Sequence, residues 1–179
     1  MTAKSKVKTN PCVKELAERF FHVDGVLFWK SKWGRMSAGK KAGKIHLSTG
    51  YVVVRLKGKE LLGHRVIWAL ENNEWPPTAL DHISGDRTDN RIENLRLCDS
   101  IQNGQNRAVN KSSKTGFKGV RQCIKNSKFH SLIKVNGKQI YLGTFDDAIS
   151  AAIAYNKACA KFYGDFARPN EIIKSGAAA

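Results

Sequence analysis

The chain has 179 residues, room for one domain or two small ones, and carries 31 Lys and Arg against 15 Asp and Glu, a formal net charge of +16. No apolar run approaches the roughly 20 residues of a membrane-spanning helix, and the opening MTAKSKVKTN lacks the apolar core of a signal peptide, so a soluble protein with no membrane partner is expected. Cys12, Cys98, Cys123 and Cys159 are far apart and form no CxxC pair, which speaks against a zinc site or a disulfide framework and for a reducing cytosol. Each is expected to be a small buried apolar residue.

Residues 1–10 are basic and polar and read as a tail. LAERFF (16–21) has the look of a short helix, and VLFWK (26–30) of a strand after an Asp24-Gly25 turn. Residues 30–44 hold six bases, Lys40 and Lys41 among them, no acid and several glycines, a composition suited to a mobile loop along a phosphate backbone. Trp29 and Trp33 read as core or loop anchors. YVVVRL (51–56), a Gly58 turn and ELLGH (60–64) predict a hairpin; RVIWAL (65–70) has helical spacing and is stopped by Trp75-Pro76-Pro77. A strand at 79–83, a turn-rich loop at 84–93, a strand at 94–98 and a helix from about Ser100 to Val109 follow, with Asp99 or Ser100 as the N-cap. Residues 110–116 are a polar linker. FKGVRQCI, FHSLIKV and KQIYLG predict three strands joined by turns at Asn126-Ser127 and Asn136-Gly137, the second a strong hairpin signal. Thr144-Phe145-Asp146-Asp147 reads as a capping box for a helix from Ala148 to Phe162 ending at Gly164, with Ala148, Ala152, Tyr155, Cys159 and Phe162 on one face beside Ile149 and Ile153.

The excess charge is spread along the chain. Residues 1–110 hold 19 bases and 11 acids, and residues 111–179 hold 12 and 4. Between Asp99 and Asp146 there is no acid, while Arg107, Lys111, Lys114, Lys118, Arg121, Lys125, Lys128, Lys134 and Lys138 all occur. Phosphate neutralisation with counterion release is the physical use for such a stretch, and nucleic acid is the expected partner.

Residues 79–106, ALDHISGDRTDNRIENLRLCDSIQNGQN, carry the chemistry. Asn94 follows His82 by twelve residues and Asn103 by twenty-one, room for strand, loop, strand and one helix face. Phosphodiester hydrolysis needs a base for water, a cation for the crowded phosphate and neutralisation of the leaving oxygen. His82 suits the base, since an imidazole titrates near neutrality. Asp81 offers a hard anionic oxygen and Asn103 a neutral amide oxygen, enough for Mg²⁺ (or Mn²⁺), which seldom takes an all-protein cage. Asn94 can bond backbone across the loop and aim His82. Arg107, four residues after Asn103 on the same predicted helix face, can touch the scissile phosphate. Adjacent strand residues point to opposite faces, so Asp81 and His82 converge only if the strand ends or twists near Ser84-Gly85-Asp86. Taken singly, Asn90, Asn94 and Asn103 are turn and cap residues, and His64 and His130 pack or bond locally.

Residues 51–107, through GHRVIWALENNEWPPTALDHISGDRTDNRIENLR and QNGQNR, closely resemble the HNH homing endonucleases of phages and introns, whose fold is the ββα-metal (His-Me) finger. The resemblance implies His82 as general base, Asp81 and Asn103 as metal ligands, Asn94 in a structural role and Asn106 as a weaker ligand candidate. Asn103 stands where many members have a third His, as in the intron-encoded nicking subgroup. Residues 113–170, from TGFKGVR through IKVNGKQIYLGTFDDAISAAIAYNKACAKFYGDFARPN, look like the Apetala/ethylene-response-factor DNA-binding domain of plants. There the sheet enters the major groove; Arg121 matches a first-strand arginine, and Lys125, Lys128, His130 and Lys134 lie at or near contact positions, with Lys118 close by. The plant tryptophans are replaced near Phe129 and Ile140, so a target sequence does not carry over.

The expected fold class is α+β: a ββα-metal nuclease module in residues 1–110 with its core at about 79–109, a linker at 111–116, a three-stranded antiparallel sheet packed on one helix at 117–170, and a tail at 171–179. The expected function is site-specific, metal-dependent cleavage of double-stranded DNA by a monomer on an asymmetric site, cutting one strand, in the cytoplasm of a host cell. The competing readings are a DNA-binding regulator with a non-catalytic module and a structure-specific nuclease.

Overall fold

A computed structural model describes residues 10–32, 34–110 and 112–172. Residues 1–9 of the expected N-terminal tail, Trp33, Lys111 and residues 173–179 of the expected C-terminal tail lie outside the described residues. The chain is a mixed α+β structure of small antiparallel sheets and short helices. It forms two compact units, one up to Leu97 and one from Cys98 onward.

The first unit begins with α1 (Val13–Arg19), capped by Cys12, whose Sγ accepts from the Glu15 N–H at 3.4 Å. Cys12 is therefore an exposed cap and not a buried residue as expected. The helix also stops before Phe20 and Phe21, which start β1 (Phe20–Val23) and pair with β2 (Val26–Trp29). Asp24 and Gly25 both take left-handed backbone (φ 47° and 74°), the two-residue turn whose twist matches a hairpin. Phe20 meets Trp29 at a tilt, ring centres 4.8 Å apart, and Phe21 stacks on Phe28 at 5.3 Å; these cross-strand pairs outweigh the local helical pattern.

Part of the basic segment 30–44 is tied to β2 by backbone bonds, against the mobile loop its composition suggests. Trp29 N–H donates to the Lys40 carbonyl (2.9 Å), Gly39 N–H to that of Trp29 (2.7 Å) and Ala42 N–H to that of Leu27 (2.7 Å). The free edge of β2 needs partners for these groups, and 39–42 supplies them, leaving the Lys40 and Lys41 side chains exposed. β3 (Lys44–Ile45), β4 (Val52–Leu56) and β5 (Lys59–Leu62) form the next sheet. Helix α2 (Gly63–Asn72) grows directly out of β5 and stops at Asn73 in left-handed backbone, ahead of the two prolines. Val66, Ile67 and Ala69 of α2 bury against Leu16, Trp29 and Val54. β6 (Ala79–His82) pairs with β7 (Leu95–Cys98), a 3₁₀ turn at Ile92–Asn94 leading into β7.

In the second unit α3 (Ser100–Gln105) has Asp99 as its N-cap, in a reciprocal box with Gln102. It ends four residues short of the expected Val109; Gly104 in its last turn weakens continuation, and Asn106 is the C-cap. The segment expected as a linker falls inside this unit. Turns close it at Ser113 and Gly116, and Lys118 Nζ donates to the Arg107 carbonyl at 2.9 Å. β8 (Val120–Gln122), β9 (Phe129–Val135) and β10 (Lys138–Phe145) form an antiparallel sheet in the order β10-β9-β8, with α4 (Ala148–Tyr163) packed on it. Thr144 is part of β10, and the cap of α4 is Asp147, accepting from Ser150 N–H and Oγ at 2.7 Å each. The buried face of α4 is Ala151, Ala152, Tyr155, Ala158 and Cys159, while Ile149, Ile153 and Phe162 are exposed. Small side chains let the helix axis approach the sheet, so the face turns toward alanines and away from the isoleucines expected there.

Gly119 shows how close that approach is. It has φ +70°, and a Cβ there would lie 2.1 Å from the Tyr155 ring and 2.4 Å from the Leu132 carbonyl oxygen. Gly119→Ala combines left-handed strain with overpacking, and a loss of about 2–4 kcal/mol is expected from the two together. Thermal unfolding of the variant checks this; an unchanged melting temperature refutes the close-packing account.

Candidate active site

β6 stops at His82 because the Gly85 N–H turns back onto the His82 carbonyl at 2.8 Å. The loop that follows is built from its own polar side chains. Asp86 Oδ1 accepts from Thr88 N–H (2.9 Å) and Oγ1 (2.8 Å), which holds the Asp86 carboxyl below its ordinary range. Arg91 donates to both oxygens of Asp89 (2.8 and 2.7 Å) and likewise holds that carboxyl down. Asn94 closes the loop: its Oδ1 accepts from Ser84 N–H (2.9 Å), its Nδ2 donates to the Asp89 carbonyl (2.7 Å), and its own carbonyl accepts from Ile83 N–H (2.9 Å). One buried amide thus ties the loop's start, middle and end.

The residue placed by this clamp is Asn90, next to Asp89 and 2% exposed. Its Oδ1 lies 3.0 Å from His82 Nε2. A carbonyl oxygen only accepts, so His82 Nε2 carries the hydrogen and Nδ1 presents a lone pair. His82 is itself 3% exposed. Behind Asn90 stands the β1–β2 turn. A Cβ on Gly25 would come within 2.3 Å of Arg91 N and 2.5 Å of the Asn90 carbonyl carbon, so the bare glycine is what lets the hairpin floor the loop.

Two rings lie against the imidazole. His64, in the first turn of α2, meets His82 edge-on with ring centres 5.0 Å apart, and Tyr51 lies 5.2 Å from His64 and 5.9 Å from His82. Arg87 from the loop sits 4.7 Å over the Tyr51 ring and donates to the Thr49 carbonyl at 2.6 Å. Burial, then the neighbouring His82 and Arg65 charges, push the His64 pKa down to about 3, so it stays neutral beside His82. Arg65 fixes the approach to β6 by donating to the carbonyls of Thr78 (3.0 Å) and Pro76 (3.1 Å).

Asp81 is also buried, 7% exposed, but keeps separate company. Arg96 on β7 donates to Asp81 Oδ2 through Nε (3.0 Å) and Nη2 (2.7 Å). Strand alternation thus gives Asp81 and His82 distinct partners, one across the strand pair and one in the loop. Asn103 is exposed on α3, and Asn106 is buried at its C-cap. Arg107 lies beyond the end of α3, so the shared helix face expected of Asn103 and Arg107 does not exist.

Motif spacing points to His82, Asp81 and Asn94 and not to Asn90, Tyr51 or Arg96. Read singly, Asn90 is one more turn residue, while the local packing expected of His64 is present, against Tyr51 and His82. The opposite charges of Asp81 and Arg96 on neighbouring strands were the available signal for that pair.

In the second unit, Arg121 on β8 is opposite His130 on β9, which is opposite Thr144 on β10; Lys134 is opposite Gln139. Alternation places this row on the face away from Ser131 and Ile133, which are buried. Tyr141 meets the His130 ring edge-on at 5.7 Å and shares a hydrogen bond with Thr144. Lys125 is exposed after β8. Lys128 pairs with Asp146 at 2.9 Å. Lys118 is only half-exposed and is spent on the Arg107 carbonyl.

The buried His64 makes stability depend on pH. Its unfolded form takes a proton below the ordinary value of 6.5 while the folded form does not until about 3. Its contribution is thus complete above 6.5 and is lost as pH falls from there toward 3, by about 1.4 kcal/mol per pH unit at full effect. His64→Phe is expected to flatten that part of the denaturation profile; an identical slope in the variant contradicts a neutral buried His64.

Residues 62–105, which include His64, Asp81, His82, Asn90, Asn94 and Arg96, match the family model of the HNH endonucleases. An uncharacterized HNH endonuclease of Acanthamoeba polyphaga mimivirus is 34% identical to the chain over 126 residues, 69% of this chain and 64% of the viral protein. The chain therefore spans less than two thirds of that relative's length. An HNH domain is present in this chain, and it contains the His82 site.

Proposed function

We propose that the protein is a metal-dependent DNA endonuclease that nicks one strand at a chosen site, with His82 as general base. The observation that carries this reading is the 3.0 Å bond between Asn90 Oδ1 and His82 Nε2 inside the HNH segment. It turns the imidazole lone pair at Nδ1 into the proton acceptor. In the proposed step a water gives its proton to His82 Nδ1 while its oxygen bonds to phosphorus; the P–O bond to the leaving sugar oxygen breaks, and that oxygen takes a proton from solvent.

The donor chemistry suits a hard divalent cation. Asp81 supplies a carboxylate oxygen, and among the described residues no three His, Cys, Asp or Glu side chains cluster into a cage. A site of few protein oxygens completed by water and phosphate is the habit of Mg²⁺, and of Mn²⁺ in its place. The share of Asn103 in the ligand set is supported by sequence spacing. When bound, the cation stabilises charge on the phosphate and on the leaving oxygen.

Double-stranded DNA as substrate is supported by the net charge of +16 and by the sheet face bearing Arg121, His130 and Lys134. On that face, as in the resemblance to the plant domain, Arg121 reads bases and Lys134 touches phosphate. Lys40 and Lys41 in the first unit and Lys125 in the second are exposed positive charges suited to phosphate. Lys118 and Lys128 have internal partners and contribute less to this surface. One site per chain supports a single cut by a monomer. Homing activity and a host-cell cytoplasm remain part of the proposal through the resemblance.

Supercoiled plasmid from a candidate target genome, incubated with Mg²⁺, tests the reading. Wild type is expected to give open circles. His82→Ala is expected to slow nicking by about 10²–10⁴-fold, and Asn90→Ala by about 10–100-fold, the usual cost of losing an orienting partner. Intact plasmid with both wild type and His82→Ala, alongside a gel shift by both, would establish a DNA-binding regulator instead. Preference for branched over linear duplex would establish a structure-specific nuclease.

The sheet surface has its own test. Lys134→Ala is expected to lower the slope of log affinity against log salt by about one unit without moving the cut. Arg121→Ala is expected to blur the cut positions, read by sequencing the nicked ends. Unaltered cut positions in Arg121→Ala remove the sheet from site choice.

A further inference from the structure

The ion pair at Asp81 sits oddly with a metal-ligand role. Two guanidinium donors of Arg96, Nε at 3.0 Å and Nη2 at 2.7 Å, converge on the same carboxylate oxygen, Oδ2. Both side chains are largely withdrawn from solvent, 17% exposed for Arg96 and 8% for Asp81. Removed from water, such a charge-assisted pair is strong and neither partner is easily left alone. Mg²⁺ holds its ligand oxygens at about 2.0–2.1 Å, and at Oδ2 it would meet the lone pairs that Arg96 now occupies. It also brings two positive charges toward a guanidinium that cannot lose its own.

We propose that Arg96 is an internal counter-cation that competes with the divalent metal for Asp81, so that the free protein binds the metal weakly. The inference rests on the nuclease reading for the identity of the cation. In the free protein, Arg96 supplies the charge that Asp81 needs while buried, and the cation gains the carboxylate only as the guanidinium withdraws. Arg96 is thereby a positioning residue that acts on the metal through Asp81. The alternative role, a strut that aims Asp81 at the metal, has the opposite consequence: removing the strut weakens metal binding.

The test is direct Mn²⁺ binding by the full chain without DNA, followed by the loss of the free-ion electron paramagnetic resonance signal. Arg96→Gln keeps a hydrogen-bond donor and removes the charge; it is expected to bind Mn²⁺ at least tenfold more tightly than wild type. The R96Q/D81N double variant is expected to lose that gain. Equal or weaker binding by R96Q overturns the proposal, and so does a gain that survives in the double variant. Circular dichroism monitors folding, and if R96Q does not fold, R96K carries the test. Lysine keeps the charge but lacks the two-donor fork, so a gain of about threefold is expected, and wild-type affinity in R96K overturns the proposal. Plasmid nicking by wild type is read in parallel. Absence of nicking with the Mn²⁺ gain intact defeats the nuclease reading alone, while nicking without the gain defeats the Arg96 inference alone.

Discussion

The site depends on one hydrogen bond, from His82 Nε2 to Asn90 Oδ1. Both residues are nearly sealed from water, so neither can exchange its partner for solvent, and a buried polar group without a partner is costly. The rest of the loop can be understood as the means of keeping that bond made. Asn94 joins Ser84 to Asp89 and sets the residue before Asn90; Gly25 gives the backbone at Asn90–Arg91 a surface to lie on; Arg91 and Asp89 brace the next turn. Each of these groups limits where Asn90 can be.

The acids of this region illustrate how a strongly basic chain uses few carboxylates. Asp86 and Asp89 are consumed by hydrogen bonds inside the loop, Asp99 by the start of α3 and Asp147 by the start of α4. Such placements are local, and each replaces a backbone or side-chain donor's lost water partner. Asp81 differs because its partner comes from another strand and is a full charge. That difference singles it out chemically among the site's acids, independently of the spacing that first drew attention to it.

What was legible in the sequence divides by the range of the interaction that decides it. Two-residue turns are local, and Asp24-Gly25, Lys57-Gly58 and Asn136-Gly137 all join strands near the positions expected from the letters alone. Helix ends were less legible. Phe20 and Phe21 leave α1 because Trp29 and Phe28 wait on the neighbouring strand. On α4 the apolar pattern allowed two faces, and the sheet selected the alanines, a choice made by the space between helix and sheet and not by hydrophobicity. The site followed the same rule. His82, Asp81 and Asn94 stand at recognisable spacings, whereas His64 reaches His82 from α2, and Arg96 declares itself only once β6 and β7 are paired.

His64 also bears on why a base can work in so basic a protein. In the proposed reaction His82 accepts a proton and later loses it. A second imidazole 5.0 Å away that also took a proton would put two like charges side by side. Burial settles the competition, because desolvation is the largest cause of the low pKa of His64. The neighbouring ring then supplies shape and a neutral wall, with Tyr51 beside it and the Arg87 charge held over the tyrosine face. The proton has one imidazole to go to. On the proposed mechanism, tight packing around His64 therefore serves His82 by keeping the neighbouring ring neutral.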